Sequence, residues 1–568
     1  MAEIDYKQKV EDKKTELSPL HGRMDKDREL VELAKYSLED VNSKEVPNSI
    51  SVTLNDPAVF AANVESSLNN ATEQVVVESD DKNLDTAYIE DVIKASFAAA
   101  NSRLVKQGKF PLNSFFDQQM CRRGRGAARC LFRMDKKTKT LIADIAPWDT
   151  RFVYTGMGSD GLDWAGYEVL KTKDEIASEA WAKKEKFFIG DEEALVLDVW
   201  SKEKNYIWVN DKQEYEQAHP YGEVPVASQL VPMGSMMADK ESRVAQGESI
   251  FFLIRDLVPE LNRLVSIIQS LNLKALDNAL LWKSQEGTEA TPPAHKDITK
   301  PGSTTATDIQ GGAEPVAYGE LKRSAYLLHS MIETRIQRGS LSSIDMGTLN
   351  FQLSAVALIE IGEGRDQVFL PRLGARGLLK QQLAEMIIDQ IIKTGATSVE
   401  IGSRGHKRTF DARKLVGEYE IAFKYFIKSP KVDVARFSMA AAAGNLISDK
   451  TKRRDILQQE DPDGEELKIR WEEAERLSPA VKLNRIVKAL VELGKRGDKD
   501  AELEAEILST EMGVSLERMS SGSAEQLPKL EEGEKPKPLV PLFGGGGGRT
   551  SGKRASELEA TPREETGE

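Results

Sequence analysis

Few residues of this 568-residue chain carry the types and spacing that chemistry needs. Residues 156–161, GMGSDG, match the glycine pattern of a dinucleotide-binding loop, in which the glycines let a helix N-terminus approach a pyrophosphate. That pattern requires a helix after it, and the following LDWAGYEVL alternates like a strand, so the segment reads as a glycine-rich turn. Residues 547–554, GGRTSGKR, come within one residue of a P-loop, but Arg554 stands where magnesium needs Ser or Thr. His21, His219, His295, His329 and His406 are scattered, none at metal-ligand spacing to another or to a cysteine. Acidic residues are abundant without any pair that stands out as a catalytic dyad. These observations predict no catalytic residue, no metal site and no cofactor.

Three basic clusters remain: Arg122, Arg123, Arg125 and Arg129 in CRRGRGAAR, Arg404, Lys407 and Arg408 in GSRGHKR, and Lys452, Arg453 and Arg454 in KTKRR. Each is a candidate phosphate contact. Each fits equally well as a surface face or an ion-pair partner between subunits of an acidic protein. The aromatic interleaving of single-strand binders is absent.

The whole composition limits what these clusters can do. With 78 Lys and Arg against 92 Asp and Glu, the net charge is −14, which argues against a plain basic clamp on nucleic acid. A hydrophobic content of 40 % and a charged content of 30 % fit a soluble globular protein. Two cysteines, Cys121 and Cys130, allow neither a disulfide framework nor a four-ligand zinc site, so a reducing compartment is expected. The charged N-terminus lacks the apolar run of a secretory signal. The most apolar stretch, 250–282, holds Arg255, Asp256, Glu260, Arg263, Lys274 and Asp277, which excludes a lipid-spanning helix.

The elements that position these residues follow from periodicity. A charged helix is expected over 24–39, then a strand over 51–57 closed by Pro57, then helices near 58–71 and 85–106. RCLFRMD and KTLIADIAP flank a polar turn as a hairpin does. Further strands are expected at 151–155, 163–170, 193–201 and 204–210, with a charged helix near 173–187. After Gly247 the pattern changes: Leu257, Leu261, Leu264, Ile268, Leu271 and Ala275 form one helical stripe. Carried to Lys283, the segment after Pro259 is a strut of roughly 36 Å. A 30-residue Thr-, Pro- and Gly-rich insertion (286–315) follows, then a second strut with Leu321, Ala325, Leu328, Ile332 and Ile336 on one face. A small-residue loop (340–354) leads to a long apolar segment, 355–394, expected as a kinked or broken helix because it contains Gly362, Gly364 and Pro371. A strand over 418–430, several helices over 433–510 and a flexible tail from about 520 complete the chain. The fold class is α+β, mainly helical.

The order of an α/β body, strut, insertion, second strut, small-residue loop and long broken helix resembles the portal proteins of tailed bacteriophages, the head-tail connectors. The strings SVTLNDP, APWDTRFVYTG, HPYGEVPVASQLVP, GESIFFLIRDLVPELNRLV and LNFQLSAVALIEIGEGRDQVFLPRL agree with that family's habits. The resemblance spans about residues 24–510 and rests on order and length rather than on any single motif. It implies an N-terminal wing (1–247), a first stem region (248–284), a clip (285–318), a second stem helix (319–339), a tunnel loop (340–353), a kinked helix with wing strands (354–432), crown-side helices (433–512) and a flexible tail (513–568).

Under that resemblance the chain is a homo-oligomeric ring, usually of twelve, at one capsid vertex of the virion and is assembled in the host cytoplasm. Double-stranded DNA is packaged and ejected through it, and the clip docks the terminase large subunit and then head-tail adaptors. Major capsid and scaffolding proteins are the other implied partners, and no membrane is involved. Leu341, Ser342, Ser343, Asp345, Met346, Thr348 and Asn350 would face DNA. Glu286, Glu289, His295, Lys296, Asp297, Lys300, Asp308 and Glu314 would meet clip partners. An acidic wall suits sliding DNA, since strong phosphate neutralisation would make each step a salt-sensitive release. A cytoplasmic helical scaffold or adaptor without a DNA channel is the alternative. An ATP-driven DNA enzyme would need a nucleotide site that the sequence does not offer.

Overall fold

The computed structural model describes residues 5–508 except 48, 82–83, 135–140, 180, 183–192, 277–279, 284–311, 316–322, 341–354, 404, 427–435, 438, 478–484, 488 and 492–502. Contacts divide the chain into two units, Met1–Glu466 and Leu467–Glu568.

The first unit opens with α1 (Tyr6–Glu16), where the Asp5 carboxylate accepts from the Lys7 and Gln8 amides at 3.0 and 3.1 Å, a side-chain cap for otherwise orphaned donors. α2 (Ser18–Val31) follows. The helix expected over 24–39 therefore starts earlier and ends at Val31, because Leu33 takes a left-handed backbone with φ 54° and turns the chain out into an extended strap. Residues 51–57 are not a strand either. Their amides bond side chains of a helix, described below, and Pro57 lies in the first turn of α3 (Asp56–Asn69), where its missing N–H has no partner to lose.

Most of the remaining α+β body matches the periodicity. β1 (Thr72–Glu78), α4 (Thr86–Lys106) and α5 (Leu112–Arg122) precede the expected hairpin of β2 (Arg125–Met134) and β3 (Leu141–Trp148). β4 (Val153–Gly158) and β5 (Gly161–Thr172) meet through a turn at Ser159 and Asp160, so the expected GMGSDG turn is strand at its first three residues; Gly161 follows at φ 117°, a conformation that side chains resist. α6 (Lys173–Ser178) starts at a capping box between Thr172 and Glu175; residues 183–187 of the longer helix expected there lie outside the described residues. β6 (Glu193–Ser201), β7 (Lys204–Val209) and β8 (Lys212–Ala218) complete an antiparallel meander ordered β4-β5-β6-β7-β8. β9 (Val226–Leu230) adds to β2, giving β3-β2-β9. The short α7 (Lys240–Arg243) leads on.

α8 (Leu257–Leu276) carries the first apolar stripe. It stops short of the expected Lys283 because Leu280–Lys283 forms β10, paired with β11 (Gly312–Pro315), a partner too distant in sequence for local periodicity to reveal. Its 20 residues span about 30 Å. α9 (Arg323–Gly339) is the second strut. α10 (Ala355–Lys393) is one continuous helix through Gly362, Gly364 and Pro371, so of the expected kinked or broken helix the broken form is excluded. Around the proline, Phe369 and Leu373 are buried and the Arg372 guanidinium donates to the Val368 carbonyl at 2.6 Å, so packing and a side-chain donor hold the turn that proline weakens.

The main core gathers on α10. Ala375, Leu379, Leu383, Ile387 and Ile391 lie four residues apart and are buried against α4, α5, β2 and β9. β12 (Ser398–Ser403) pairs with β13 (His406–Asp411), and β14 (Glu420–Phe426) pairs with β1, so Thr72 faces Phe426 across about 350 residues of chain. α11 (Pro462–Leu477) carries the chain across the division between units. In the second unit Arg485 donates to the Trp471 carbonyl at 3.2 Å and lies over its ring. Among the described residues no helix is long and apolar enough to cross a membrane.

Candidate functional site

The two struts form a pair. α8 and α9 pack on each other, and a Cβ on Gly339, at the end of α9, would meet Ile254 and Leu253, which precede α8, at 2.7 and 3.2 Å. The end of α9 thus lies at the start of α8, while the far end of α8 leads into β10, laddered to β11 just before α9. The helices run antiparallel, fixed at one end by the apolar cluster of Phe60, Phe251, Ile254, Val258 and Ile336 and closed towards the other by the strand pair.

A second device fastens α8 lengthwise. Asn262, Ser266 and Ser270 repeat every four residues and are buried. They accept from the Leu54, Val52 and Ile50 amides at 3.1, 2.8 and 2.9 Å. The registers match because two extended residues advance about 6.7 Å and four helical residues about 6.0 Å. Ser266 is satisfied both ways, donating to the Asn262 carbonyl at 2.7 Å. The other edge of the strap holds the chain after α2: Thr53 and Ser51 hydroxyls accept from the Tyr36 and Leu38 amides at 2.9 and 3.0 Å.

At the base of the pair the backbones of Gly124 and Gly247 touch. A Cβ on Gly124 would lie 2.2 Å from the Gly247 carbonyl oxygen, and both residues have positive φ; only glycine fits. Beside this contact Arg255 is buried among carboxylates. Its guanidinium donates to Asp27 at 2.6 and 2.8 Å and to Glu248 at 2.8 Å, and Arg23 reaches Glu248 at 2.9 Å. Burial alone would lower the Arg255 pKa, and Asp27 and Glu248 override it and raise it. A charge so enclosed is tolerable only with such pairing.

A second group of buried charges anchors α10. Arg376 donates to Asp117 at 2.6 Å and lies 4.1 Å from the Tyr425 ring centroid, while Lys380 donates to Glu73 at 2.6 Å over Phe97. Burial pushes the Lys380 pKa down, against the pull of Glu73.

The basic clusters turn inward or pair within the chain. Arg122 grips Glu65 with two bonds at 2.7 and 3.0 Å, Arg123 donates to the Met24 carbonyl at 2.9 Å, Arg125 to the Gln246 carbonyl at 2.8 Å, and Arg129 to Asp198 at 3.0 Å. This first cluster is an internal fastening of the body. Lys407 pairs with Glu400 at 3.4 Å and Arg408 with Asp91 at 3.2 Å, both exposed; Arg404 lies outside the described residues. Lys452 pairs with Asp449 at 2.8 Å, Arg453 with Glu466 at 3.5 Å and Arg454 with Glu78 at 3.3 Å.

Of the clip residues only Glu314 is described, in β11 opposite Leu281. Glu286, Glu289, His295, Lys296, Asp297, Lys300 and Asp308 lie outside the described residues, as do Leu341, Ser342, Ser343, Asp345, Met346, Thr348 and Asn350 of the proposed tunnel loop. The stripe on α9 is only partly covered: Ile332 and Ile336 pack inward, but Leu328 joins Tyr326, Leu327 and Met331 in an apolar face 46 to 60 % exposed. The sequence reading missed the Asn262, Ser266, Ser270 ladder, although its four-residue polar spacing inside an apolar helix was visible. It also passed over Asp27 and Glu248, for which no local signal exists.

No family model matches this chain, and no curated protein matches it. Among solved structures it is similar to a chain in the neck of an empty gene transfer agent particle computed with C6 symmetry, at 11 % identity and TM-score 0.38, covering 71 % of this chain and 89 % of that one. It is similar also to a chain in the virion of a native gene transfer agent particle, at 11 % identity and TM-score 0.37, with the same coverage. A third is in the neck of the native particle computed with C12 symmetry, at 11 % identity and TM-score 0.32, covering 64 % and 88 %.

Proposed function

We propose that the chain is a portal subunit: a closed homo-oligomeric ring, usually of twelve, at one capsid vertex of a virion, through which double-stranded DNA passes. The observation that carries this reading is the antiparallel α8/α9 pair, fastened to the body at one end, with Tyr326, Leu327, Leu328 and Met331 left uncovered on α9. A contiguous apolar face on a helix is costly in water and calls for a partner. A neighbour related by rotation, whose α8 covers this face while its own α9 is covered in turn, makes a head-to-tail contact that closes into a ring.

In this reading α8 and α9 are the stem, the segment between β10 and β11 is the clip that meets terminase and then adaptors, residues 340–353 face DNA, and the body around α10 is the wing. Residues 433–512 would build the crown side. The pairing of Arg122, Arg129, Lys407, Arg408, Lys452, Arg453 and Arg454 with Asp or Glu of the same chain agrees with a wall that does not hold phosphate tightly, because a cation so paired has less charge left for DNA.

Negative-stain imaging with mass measurement of the purified full-length chain tests the reading. Classes with a central hole and one high-order symmetry are expected. A monomer or dimer without a hole at micromolar concentration would overturn the ring and leave the cytoplasmic scaffold or adaptor as the better account.

A further inference from the structure

A groove of about 640 Å3 lies between the meander and the far half of α10. Its floor is apolar, including Val226, Met386 and Leu415. Its rims carry Met157 and Val416, 69 and 63 % exposed. Asp160, Glu223 and Glu385 line it without an ion-pair partner among the described residues, whereas the lining Lys202 is paired with Asp163 at 2.8 Å, and the lining Asp389 takes up Lys393, the cation facing Glu223, at 2.5 Å. Glu223 is half-buried, and that burial pushes its carboxyl above the usual range.

Such a surface is apolar enough to take side chains out of water and acidic enough to leave uncompensated charge at its walls. We infer that the groove docks a polypeptide segment of another protein in which apolar side chains alternate with lysine or arginine. The apolar side chains seat between Met157 and Val416, and the cations reach Glu223, Glu385 and Asp160. A second copy of this chain is a poorer match, because the described basic residues of its three clusters are already paired internally. The inference is independent of the ring reading, since every lining residue belongs to the body of one chain.

The test is fluorescence anisotropy of a labelled twelve-residue peptide alternating lysine and leucine, titrated with the full-length chain. Alternating glutamate–leucine and all-lysine peptides serve as comparators. Salt-sensitive binding of the lysine–leucine peptide alone is expected. The pair Glu223→Gln with Glu385→Gln should weaken it at least tenfold, as should Met157→Ser with Val416→Ser, whereas Glu214→Gln with Glu216→Gln on β8 should leave it unchanged. A melting curve on each variant separates lost binding from lost fold. In addition, Val416→Cys should capture a lysine–leucine peptide whose cysteine carries a thiopyridyl disulfide, by thiol–disulfide exchange that releases thiopyridone, since the native Cys121 and Cys130 are buried. Equal binding of the comparator peptides, or undiminished binding by the groove variants, would overturn the assignment. So would loss of self-association in those variants, which would make a second copy the occupant.

Discussion

At the scale of single residues, stability hangs on buried charges that each have a named partner. Arg255 is the clearest case, since Asp27 and Glu248 are its carboxylate partners among the described residues. Asp27→Ala leaves that guanidinium half-paired, so the expected loss is about 3–5 kcal/mol, read from urea unfolding. Replacing Asp27 and Arg255 together by apolar residues of similar size should cost far less, because no charge is then left unpaired. His21 predicts a pH effect. It is buried with its ring edge-on to Tyr154, and burial first, then the Arg151 and Arg125 charges, lower its pKa from 6.5 to about 4, with Asp25 opposing. The folded ring stays neutral while the unfolded one takes a proton. The His21 contribution is therefore complete above pH 6.5 and lost as the pH falls towards 4, by about 3 kcal/mol in all. The difference in urea midpoint between the parent and His21→Phe, followed from pH 7 to 4, should show this slope; a flat difference would refute it.

At the scale of elements, the strap on α8 is held by side chains rather than by a strand partner. Ser266→Ala removes the acceptor of the Val52 amide and leaves a donor buried between strap and helix, at a cost of about 1–3 kcal/mol. Because the rungs lie in series, the damage should begin locally: hydrogen exchange at Val52 should quicken before that at Leu383 or Ile387 on α10. Simultaneous quickening at both would show that the strap is not a separate cooperative unit.

At the scale of the whole molecule, the short ladder of Leu280–Lys283 with Gly312–Pro315 bounds the insertion between the struts. On the portal reading proposed above, deleting residues 286–308 while keeping both strands should leave the ring intact in negative stain and abolish co-sedimentation with the packaging motor. Loss of the ring would show that the insertion is part of the assembly rather than of docking.

What the sequence determined by itself was whatever has a short period. The α8 and α9 helices, the β2/β3 pairing and the turn inside GMGSDG are set by residues within a few positions of one another, and these elements are present in the structure, although Leu328 of the expected α9 stripe is left exposed. The architecture of the middle region as α+β followed from the same local rules. What only the tertiary structure decided was where distant stretches meet. The strand reading of 51–57 failed because its Val52 and Leu54 amides bond Ser266 and Asn262, some 210 residues away, and Asp56 and Pro57 already start α3. The first strut ended early because β10 finds β11 beyond the insertion. α10 stayed whole across Pro371 because the body packs on both sides of that turn. The basic cluster at 122–129 was open to a phosphate contact, a surface face or an ion pair between subunits because charge is visible in a sequence and its partner is not. Its carboxylates and carbonyls come from Glu65, Asp198, Met24 and Gln246, and pairing over such separations is fixed by the fold as a whole.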